Sequence, residues 1–304
     1  MLAMLLIGLF LSTSGCFGDP DDVVLDFNKT KPVERPRETS AGGRRIRVAV
    51  GAMISPKETF AYYQRLLSYI GDKLGAQMQL IQRKTYEEIN EMFGRGEIDL
   101  AFICSGPYAT GKDAYGFELL ATPQVRGSPF YQSYLIVNRS SPFHNLEDLK
   151  GKVFAFTDPD SNTGRLVPVY WLAQRGERPE TYFERTIYTY SHDNSILAVG
   201  RGLVDGAAVD GLIWEYYHKR RPSLTDQTRI IKKSETYGIP PLVVSKHLNP
   251  QLKDQIRRVV FRMHLKPEGR EILKELMIDR FIVPEPRWYS PIAEMAQRLS
   301  RDEG

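Results

Sequence analysis

The sequence contains little cysteine, no apolar run long enough to cross a membrane and no large excess of charge of either sign. Its 304 residues include two cysteines, Cys16 and Cys104, which excludes a disulfide-stapled scaffold. The 41 basic and 37 acidic residues leave a formal net charge of +4, which is too small to indicate a nucleic-acid partner. The hydrophobic fraction of 42% is ordinary for a globular protein, so disorder and collagen are excluded.

Sequence patterns for nucleotide binding, metal binding and catalysis are also missing. The phosphate-binding motifs GxxxxGKS and GxxxxGKT occur nowhere. Four histidines lack the spacing that is typical of metal ligands: His144, His218, His247 and His264. No nucleophile with a neighbouring base, no carboxylate pair and no cofactor anchor stands out. We therefore expect no enzyme activity, no cofactor and no metal site.

The first fifteen residues resemble the leader of a bacterial lipoprotein. Residues 1–11 are apolar and uncharged, but a membrane span needs about 20 residues, so this run is typical of a signal peptide. The small residues 12–15 precede Cys16 as in a lipobox, in which the cysteine is lipidated. The sequence thus predicts a signal peptide over 1–15 and a lipid anchor at Cys16 on the extracytoplasmic face of the membrane. The alternative is a buried N-terminal strand with an incidental cysteine.

Residues 16–44 are predicted to be a flexible tether that holds the folded body away from the membrane. The stretch 17–45 contains six acidic and six basic residues, three prolines and the pair Gly42-Gly43, with little apolar periodicity. Such a composition stays solvated and extended. With Cys16 acylated, Cys104 has no partner for a disulfide bond.

The folded body repeats one pattern of strands and helices. Segments 91–101 (EMFGRGEIDLA) and 197–207 (LAVGRGLVDGA) have similar sequences, and each predicts a helix, a glycine stop and a strand. Apolar periodicity extends the similarity, so that 46–103 and 152–209 both follow the order βαβαβ. This alternation predicts an α/β fold with two lobes and right-handed crossovers.

The lobes are expected to share the chain unequally. We predict that one lobe comprises 45–132 plus 244–304, and that the other comprises 133–243, including the strands that join them. The segments 133–138 and 238–244 are the predicted crossing strands of a two-strand hinge. Ligands of such sheets lie beyond the carboxyl ends of the strands, so a binding site is expected in the cleft between the lobes.

The strongest local motif, DPDSNTGRLVP, follows the predicted strand Val153–Phe156. Ser161, Asn162 and Thr163 are good helix N-caps, and their side chains can donate hydrogen bonds outward. Together with free N–H groups at a helix start, they would form an anion site without a formal charge. The alternative is that these residues only cap the helix.

The run DPDSNTGRLVP resembles the ligand loop of bacterial ABC-transporter binding proteins for phosphonate, phosphite and phosphate. The resemblance continues through GEIDLAF, GSPFYQSYLIVNRSSPFHNLEDLKGK and SHDNSILAVGRGLVD. It implies the type II periplasmic binding protein fold and a monomeric, lipid-anchored extracytoplasmic subunit. It also implies that the ligand is a small phosphorus oxyanion and that the protein partners are an ABC permease and its ATPase.

The resemblance gives roles to individual side chains. Ser161, Asn162 and Thr163 match the positions that hold the oxyanion, Tyr86 matches a tyrosine that reaches it from the other lobe, and His192 matches a histidine beside it. We expect His192 to lie at the carboxyl end of a strand and Asp193 to cap the next helix. Adjacent helix residues do not face each other, so these two are not expected to form an acid–base pair.

Four further candidates follow from their places in the predicted fold. Asp210 and Ser105 end equivalent strands of the two lobes and are expected to face the cleft. Ser55 lies in the loop that corresponds by repeat to the Ser161 loop. Tyr131 is placed at the mouth of the hinge. Packing or capping is the alternative for each of them.

Three residues predict selectivity. Leu212 and Pro240 stand where the aminoethylphosphonate-binding members have acidic residues, and Ile103 replaces a tyrosine. A buried ammonium without a partner is costly, so the predicted ligands are phosphite, phosphate or methylphosphonate.

A sensory module that reports to a membrane kinase is the alternative function, and an enzyme on this fold is a weaker one.

Overall fold

Residues 43–302, the part of the chain that this computed structural model describes, form two α/β lobes. The predicted signal peptide, Cys16 and nearly all of the tether lie outside the described residues. Within residues 43–302, no helix is both long enough and apolar enough to cross a membrane.

The regular elements alternate along most of the chain. The strands are β1 (Arg44–Val50), β2 (Ala76–Ile81), β3 (Leu100–Phe102), β4 (Phe117–Gln124), β5 (Phe130–Tyr131), β6 (Ser133–Asn138), β7 (Val153–Phe156), β8 (Arg185–Tyr188), β9 (Gly206–Asp210), β10 (Thr228–Lys233), β11 (Tyr237–Gly238), β12 (Leu242–Ser245) and β13 (Arg280–Ile282). The helices are α1 (Pro56–Leu74), α2 (Tyr86–Gly94), α3 (Ser105–Tyr115), α4 (Val167–Ala173), α5 (Pro179–Tyr182), α6 (His192–Gly200), α7 (Gly211–Arg220), α8 (Pro222–Thr225), α9 (Pro250–Arg262), α10 (Pro267–Glu275) and α11 (Ser290–Asp302).

The strands form two mixed sheets with the same parallel centre. The first sheet has the order β13-β4-β12-β3-β1-β2, and the second has the order β10-β6-β9-β7-β8. In the first sheet β1 runs parallel to β2 and β3, and in the second β7 runs parallel to β8 and β9. The predicted pair of βαβαβ units is therefore confirmed.

The repeated sequence segments have repeated roles. Gly96 and Gly202 follow the last turns of α2 and α6 with φ of 72° and 68°, a left-handed conformation that glycine adopts without strain. Asp99 and Asp205 come next, and their Oδ2 atoms accept the backbone N–H of Arg47 and Val153 at 2.8 and 2.9 Å. Each aspartate thus joins the start of its own strand to the neighbouring parallel strand.

The hinge lies next to the segments that were predicted to form it. The short strands β5 and β11 pair antiparallel, Tyr131 with Tyr237 and Phe130 with Gly238, and they connect the two sheets. The predicted crossing segment 133–138 is instead strand β6, inside the second sheet. Similarly, residues 242–244 of the predicted segment 238–244 belong to β12 in the first sheet, and Gly238 alone lies in the hinge strand β11. Cross-strand pairing, which local sequence does not encode, makes the difference.

The first lobe has a core of aliphatic side chains beneath α1. Leu66 and Ile70 are fully buried and pack in one cluster with Val48 and Leu100 of the sheet. Gly75 ends α1 with a φ of 58°, as its sequence position predicts. This rigid base holds the loops after β1 and β3 in place at the carboxyl edge of the sheet. The exact lobe boundaries stay a prediction.

Candidate anion site between the lobes

The DPDSNTGRLVP motif forms a tight loop at the carboxyl end of β7. Residues Asn162–Leu166 make a π-helical turn, and α4 continues from it. Ser161 Oγ accepts the N–H of Gly164 at 3.0 Å, so Ser161 caps the turn as predicted. A Cβ at Gly164 would lie 2.3 Å from Thr157 Oγ1, so only glycine fits there. Turns of this kind are frequent at functional sites.

The loop holds buried polar atoms that have no hydrogen-bond partner within the protein. Among the described residues, five buried side-chain atoms lack a partner, and three of them belong to predicted ligand residues: Thr163 Oγ1, Asn162 Oδ1 and Tyr86 OH. All three side chains are at most 2% exposed. Because buried polar groups in native proteins are nearly always paired, such a cluster needs an explanation. A polar ligand between the lobes supplies one.

Tyr86 reaches this cluster from the first lobe. It is the first residue of α2, and Thr85 directly before it caps the helix through a capping box. The Tyr86 N–H donates to Asp158 Oδ2 of the second lobe at 3.1 Å. Burial raises the pKa of the Tyr86 phenol well above its usual value, so the hydroxyl stays protonated and can donate a hydrogen bond.

His192 is a neutral imidazole with a defined tautomer. Its Nδ1 accepts the backbone N–H of Asp210 at 3.0 Å and also lies 3.1 Å from Thr157 Oγ1. The ring proton is therefore on Nε2, which leaves Nε2–H as the donor. Burial lowers the pKa of His192 to about 3, so the ring is uncharged at neutral pH.

Two predictions about this segment are wrong. His192 does not end a strand, because β8 stops at Tyr188 and His192 is the first residue of α6. Asp193 does not cap the helix, because Ser191 does, through a hydrogen bond from the Asn194 N–H to Ser191 Oγ. The carboxylate of Asp193 instead accepts a hydrogen bond from the other lobe.

Tyr131, Ser105 and Asn162 form a buried hydrogen-bonded chain. Tyr131 OH lies 2.5 Å from Ser105 Oγ and 3.2 Å from Asn162 Nδ2. Burial raises the pKa of Tyr131 well above its usual value, so this phenol also remains protonated. The chain thus joins Tyr131 of the hinge, Ser105 of the first lobe and Asn162 of the candidate anion loop in the second lobe.

The two remaining candidates have backbone roles. The Ser55 N–H donates to Asp193 Oδ1 at 2.9 Å, and the Ser55 side chain caps nothing. Asp210 caps α7, since its Oδ1 accepts the N–H groups of Leu212 and Ile213 at 2.8 and 3.2 Å. Burial raises the pKa of Asp210 to about 7.

The lobes touch each other directly around this cluster. The hydrogen bonds of Ser55 with Asp193 and of Tyr86 with Asp158 cross between the lobes, and the His192 N–H donates to the Met53 carbonyl at 2.9 Å. These contacts enclose the candidate side chains from both sides. The arrangement is a closed cleft, and a small ligand held in it would be shielded from solvent.

Sequence reasoning missed Gly106, whose backbone packs tightly against the candidate anion loop of the other lobe. A Cβ on Gly106 would lie 2.4 Å from the Asp160 carbonyl oxygen and 3.0 Å from the Asn162 nitrogen. A glycine directly after a candidate serine is the one available signal of such a contact, and it is too common to identify the site.

Comparison with known proteins finds a matching family and similar curated relatives. A family model described as the periplasmic phosphonate substrate-binding protein of ABC transporters matches residues 48–289. The phosphonates-binding periplasmic protein of Escherichia coli (strain K12) is 28% identical over 229 residues, which are 74% of this chain and 68% of that protein.

Two solved structures have the same fold. A binding protein component of an ABC phosphonate transporter from Pseudomonas aeruginosa is 25% identical with a TM-score of 0.81, covering 86% of this chain and 88% of its own. PhnD1 from Prochlorococcus marinus (MIT 9301), in complex with methylphosphonate, is 20% identical with a TM-score of 0.74, covering 85% and 99%. The predicted type II periplasmic binding protein fold is confirmed.

Proposed function

Since this chain belongs to the family of periplasmic phosphonate-binding proteins of ABC transporters, we propose that it captures phosphite, phosphate or methylphosphonate in the closed cleft. Members of the family are substrate-binding components of importers and not enzymes. A permease and an ATPase are therefore the partners of the transport system. The likeness to a structure in complex with methylphosphonate supports this choice of ligands.

The observation that carries the proposal is the cluster of unpaired buried groups. The hydroxyls of Thr163 and Tyr86 have no acceptor within the protein, and the His192 tautomer supplies a third donor from Nε2. A tetrahedral oxyanion offers several acceptor oxygens at once, and hydrogen bonds to a charged acceptor are stronger than neutral ones. All three donors are uncharged, so the site binds an anion by hydrogen bonds alone.

Asn162 takes part through its amide. With Nδ2 bonded to Tyr131 OH, the acceptor Oδ1 is the unpaired atom. Amide oxygen and nitrogen are exchanged by a rotation of half a turn. After that rotation, Tyr131 O–H donates to Oδ1 and Nδ2 donates to the anion. Asn162 then acts as a donor to the anion.

The ligand assignment is tested by calorimetry on the purified protein with phosphite, phosphate, methylphosphonate and 2-aminoethylphosphonate. We expect at least one of the first three to bind with a Kd in the micromolar range or below, and 2-aminoethylphosphonate to bind at least about 100-fold more weakly, because a buried unpaired ammonium costs several kcal/mol. Failure of all three oxyanions to bind would contradict the proposal.

We also propose that the extracytoplasmic protein is anchored by a lipid on Cys16. Replacing Cys16 by serine should move the protein from the membrane fraction to the soluble fraction, because acyl chains would be its only strong membrane affinity. Cys104→Ser is the matched control, because this buried thiol lies in the folded body, and it should leave the protein on the membrane. A Cys16→Ser protein that stays in the membrane fraction after washing with high salt would contradict the proposed lipid anchor.

A further inference from the structure

An apolar cavity of about 150 Å³ lies beside the candidate anion site. Its walls come from the loop after β1, from α1, from α7 and from the hinge region. They include Tyr63, Phe102, Leu212, Ile213, Ile239 and Pro240. We refer to it as the side cavity. Neither the sequence motifs nor the proposed oxyanion requires this space.

The side cavity begins at the immediate neighbours of the anion donors. Gly51, Met53 and Asp210 line it, and the Asp210 N–H bonds to the His192 ring while the Met53 carbonyl accepts the His192 N–H. A Cβ on Gly51 would lie 3.9 Å from the Tyr86 ring. A group attached to a bound phosphorus therefore has the side cavity next to it.

Both carboxyl groups of the side cavity already accept hydrogen bonds within the protein. Of its two acidic residues, Glu215 accepts the hydroxyl proton of Tyr134 and pairs with Arg126. Asp210 accepts two backbone N–H groups through Oδ1, and burial raises its pKa to about 7. An ammonium placed there would have to share a carboxyl group that already accepts protein hydrogen bonds, whereas a hydrocarbon chain needs neither carboxyl.

We propose that the side cavity receives an apolar substituent on the phosphorus, so that alkyl- or arylphosphonates with about three to six carbons bind at the same site and more tightly than methylphosphonate. This inference rests on the proposed function, because the phosphonate head must occupy the anion site. An engineered apolar cavity of about 150 Å³ in another protein takes up benzene, so the side cavity has room for a substituent of about that size. Burial of each methylene contributes about 0.8 kcal/mol, which corresponds to about fourfold in affinity.

The decisive comparison uses two ligands of nearly equal shape. Propylphosphonate and 2-aminoethylphosphonate differ in a methyl group against an ammonium. By calorimetry we expect propylphosphonate to bind about 15-fold tighter than methylphosphonate and more than about 100-fold tighter than 2-aminoethylphosphonate. Phenylphosphonate should also bind tighter than methylphosphonate. If methylphosphonate binds and propylphosphonate binds no tighter, the side-cavity assignment is wrong while the proposed function stands.

Variants at Leu212 locate the effect. Leu212→Glu places a carboxylate in the side cavity, and we expect it to reverse the preference from propylphosphonate towards 2-aminoethylphosphonate. Leu212→Phe should weaken phenylphosphonate binding at least about tenfold by filling space. Leu203→Glu is the control, since Leu203 is 66% exposed. It should change neither the preference between the two ligands nor the affinity for phenylphosphonate. Unaltered selectivity in both Leu212 variants would overturn the inference.

Discussion

Replacing Gly106 by alanine should weaken oxyanion binding at least about 100-fold while leaving the fold intact. The new Cβ would lie 2.4 Å from the Asp160 carbonyl oxygen, and a backbone atom cannot swing aside as a side chain can. The lobes would have to stand further apart, so that donors of the two lobes no longer reach one anion together. Loss of one or two charge-assisted hydrogen bonds, each about 1.5–3 kcal/mol, accounts for the magnitude.

The fold itself should tolerate this change. Gly106 lies in α3 and is not among the glycines with positive φ, so alanine suits its backbone and favours the helix by about 0.5–1 kcal/mol. Gly200→Ala is the matched control, because that helical glycine has ordinary neighbours at 3.5 Å or more. Calorimetry and thermal unfolding without ligand separate the two effects. A Gly106→Ala protein with unchanged Kd would show that the closed contact does not govern binding.

The double variant Tyr86→Phe, Thr163→Val should lose binding by a factor between about 10² and 10⁴. The two substitutions remove two hydroxyls that would donate to the anion, Tyr86 from the first lobe and Thr163 from the second. Two charge-assisted hydrogen bonds together contribute about 3–6 kcal/mol. The ligand-free protein should be as stable as the parent, or more stable by up to about 3 kcal/mol. Neither hydroxyl has a partner within the protein, and an unsatisfied buried donor is a cost.

Thr228→Val supplies the opposite pattern. Thr228 is as fully buried as Thr163, but its hydroxyl donates to the Thr225 carbonyl at 2.8 Å and accepts the Trp214 indole N–H at 3.0 Å. In this variant the free energy of unfolding should be about 1–3 kcal/mol lower than in the parent, and the affinity for the oxyanion should be the same. Parallel losses of stability and affinity in the double variant would instead mean that Tyr86 and Thr163 serve only the fold.

Those parts of the structure that follow from local chemistry could be predicted from the sequence. The glycine stops of the repeated segments and the apolar periodicity around them gave the two βαβαβ units, because helix ends and strand starts are decided within a few residues. The Ser161-Asn162-Thr163 loop was located for the same reason. The resemblance added Tyr86 and His192, which no spacing in this chain would have connected to that loop.

The parts that sequence could not supply depend on contacts between distant segments. Asp193 looks like a helix cap in its local context, yet its carboxylate binds Ser55 of the other lobe. The π-helical winding at Asn162 and the fit of Gly106 against Asp160 arise only when the lobes are assembled. The side cavity has the same origin, since its walls come from residues as far apart as Val50 and Ile278.

The place of β12 in the first sheet has a consequence for the order in which the lobes acquire structure. Strands β6 to β10, all within residues 133–233, complete the second sheet without help from the rest of the chain. In the first sheet, β12 lies between β3 and β4, so residues 242–245 must arrive before the two halves of that sheet can pair. A chain made from its N-terminus therefore finishes its second lobe first. Until then, β3 and β4 each have an unpaired edge. Such an edge in a folding intermediate can pair with another chain and so lead to aggregation, or can be bound by a chaperone.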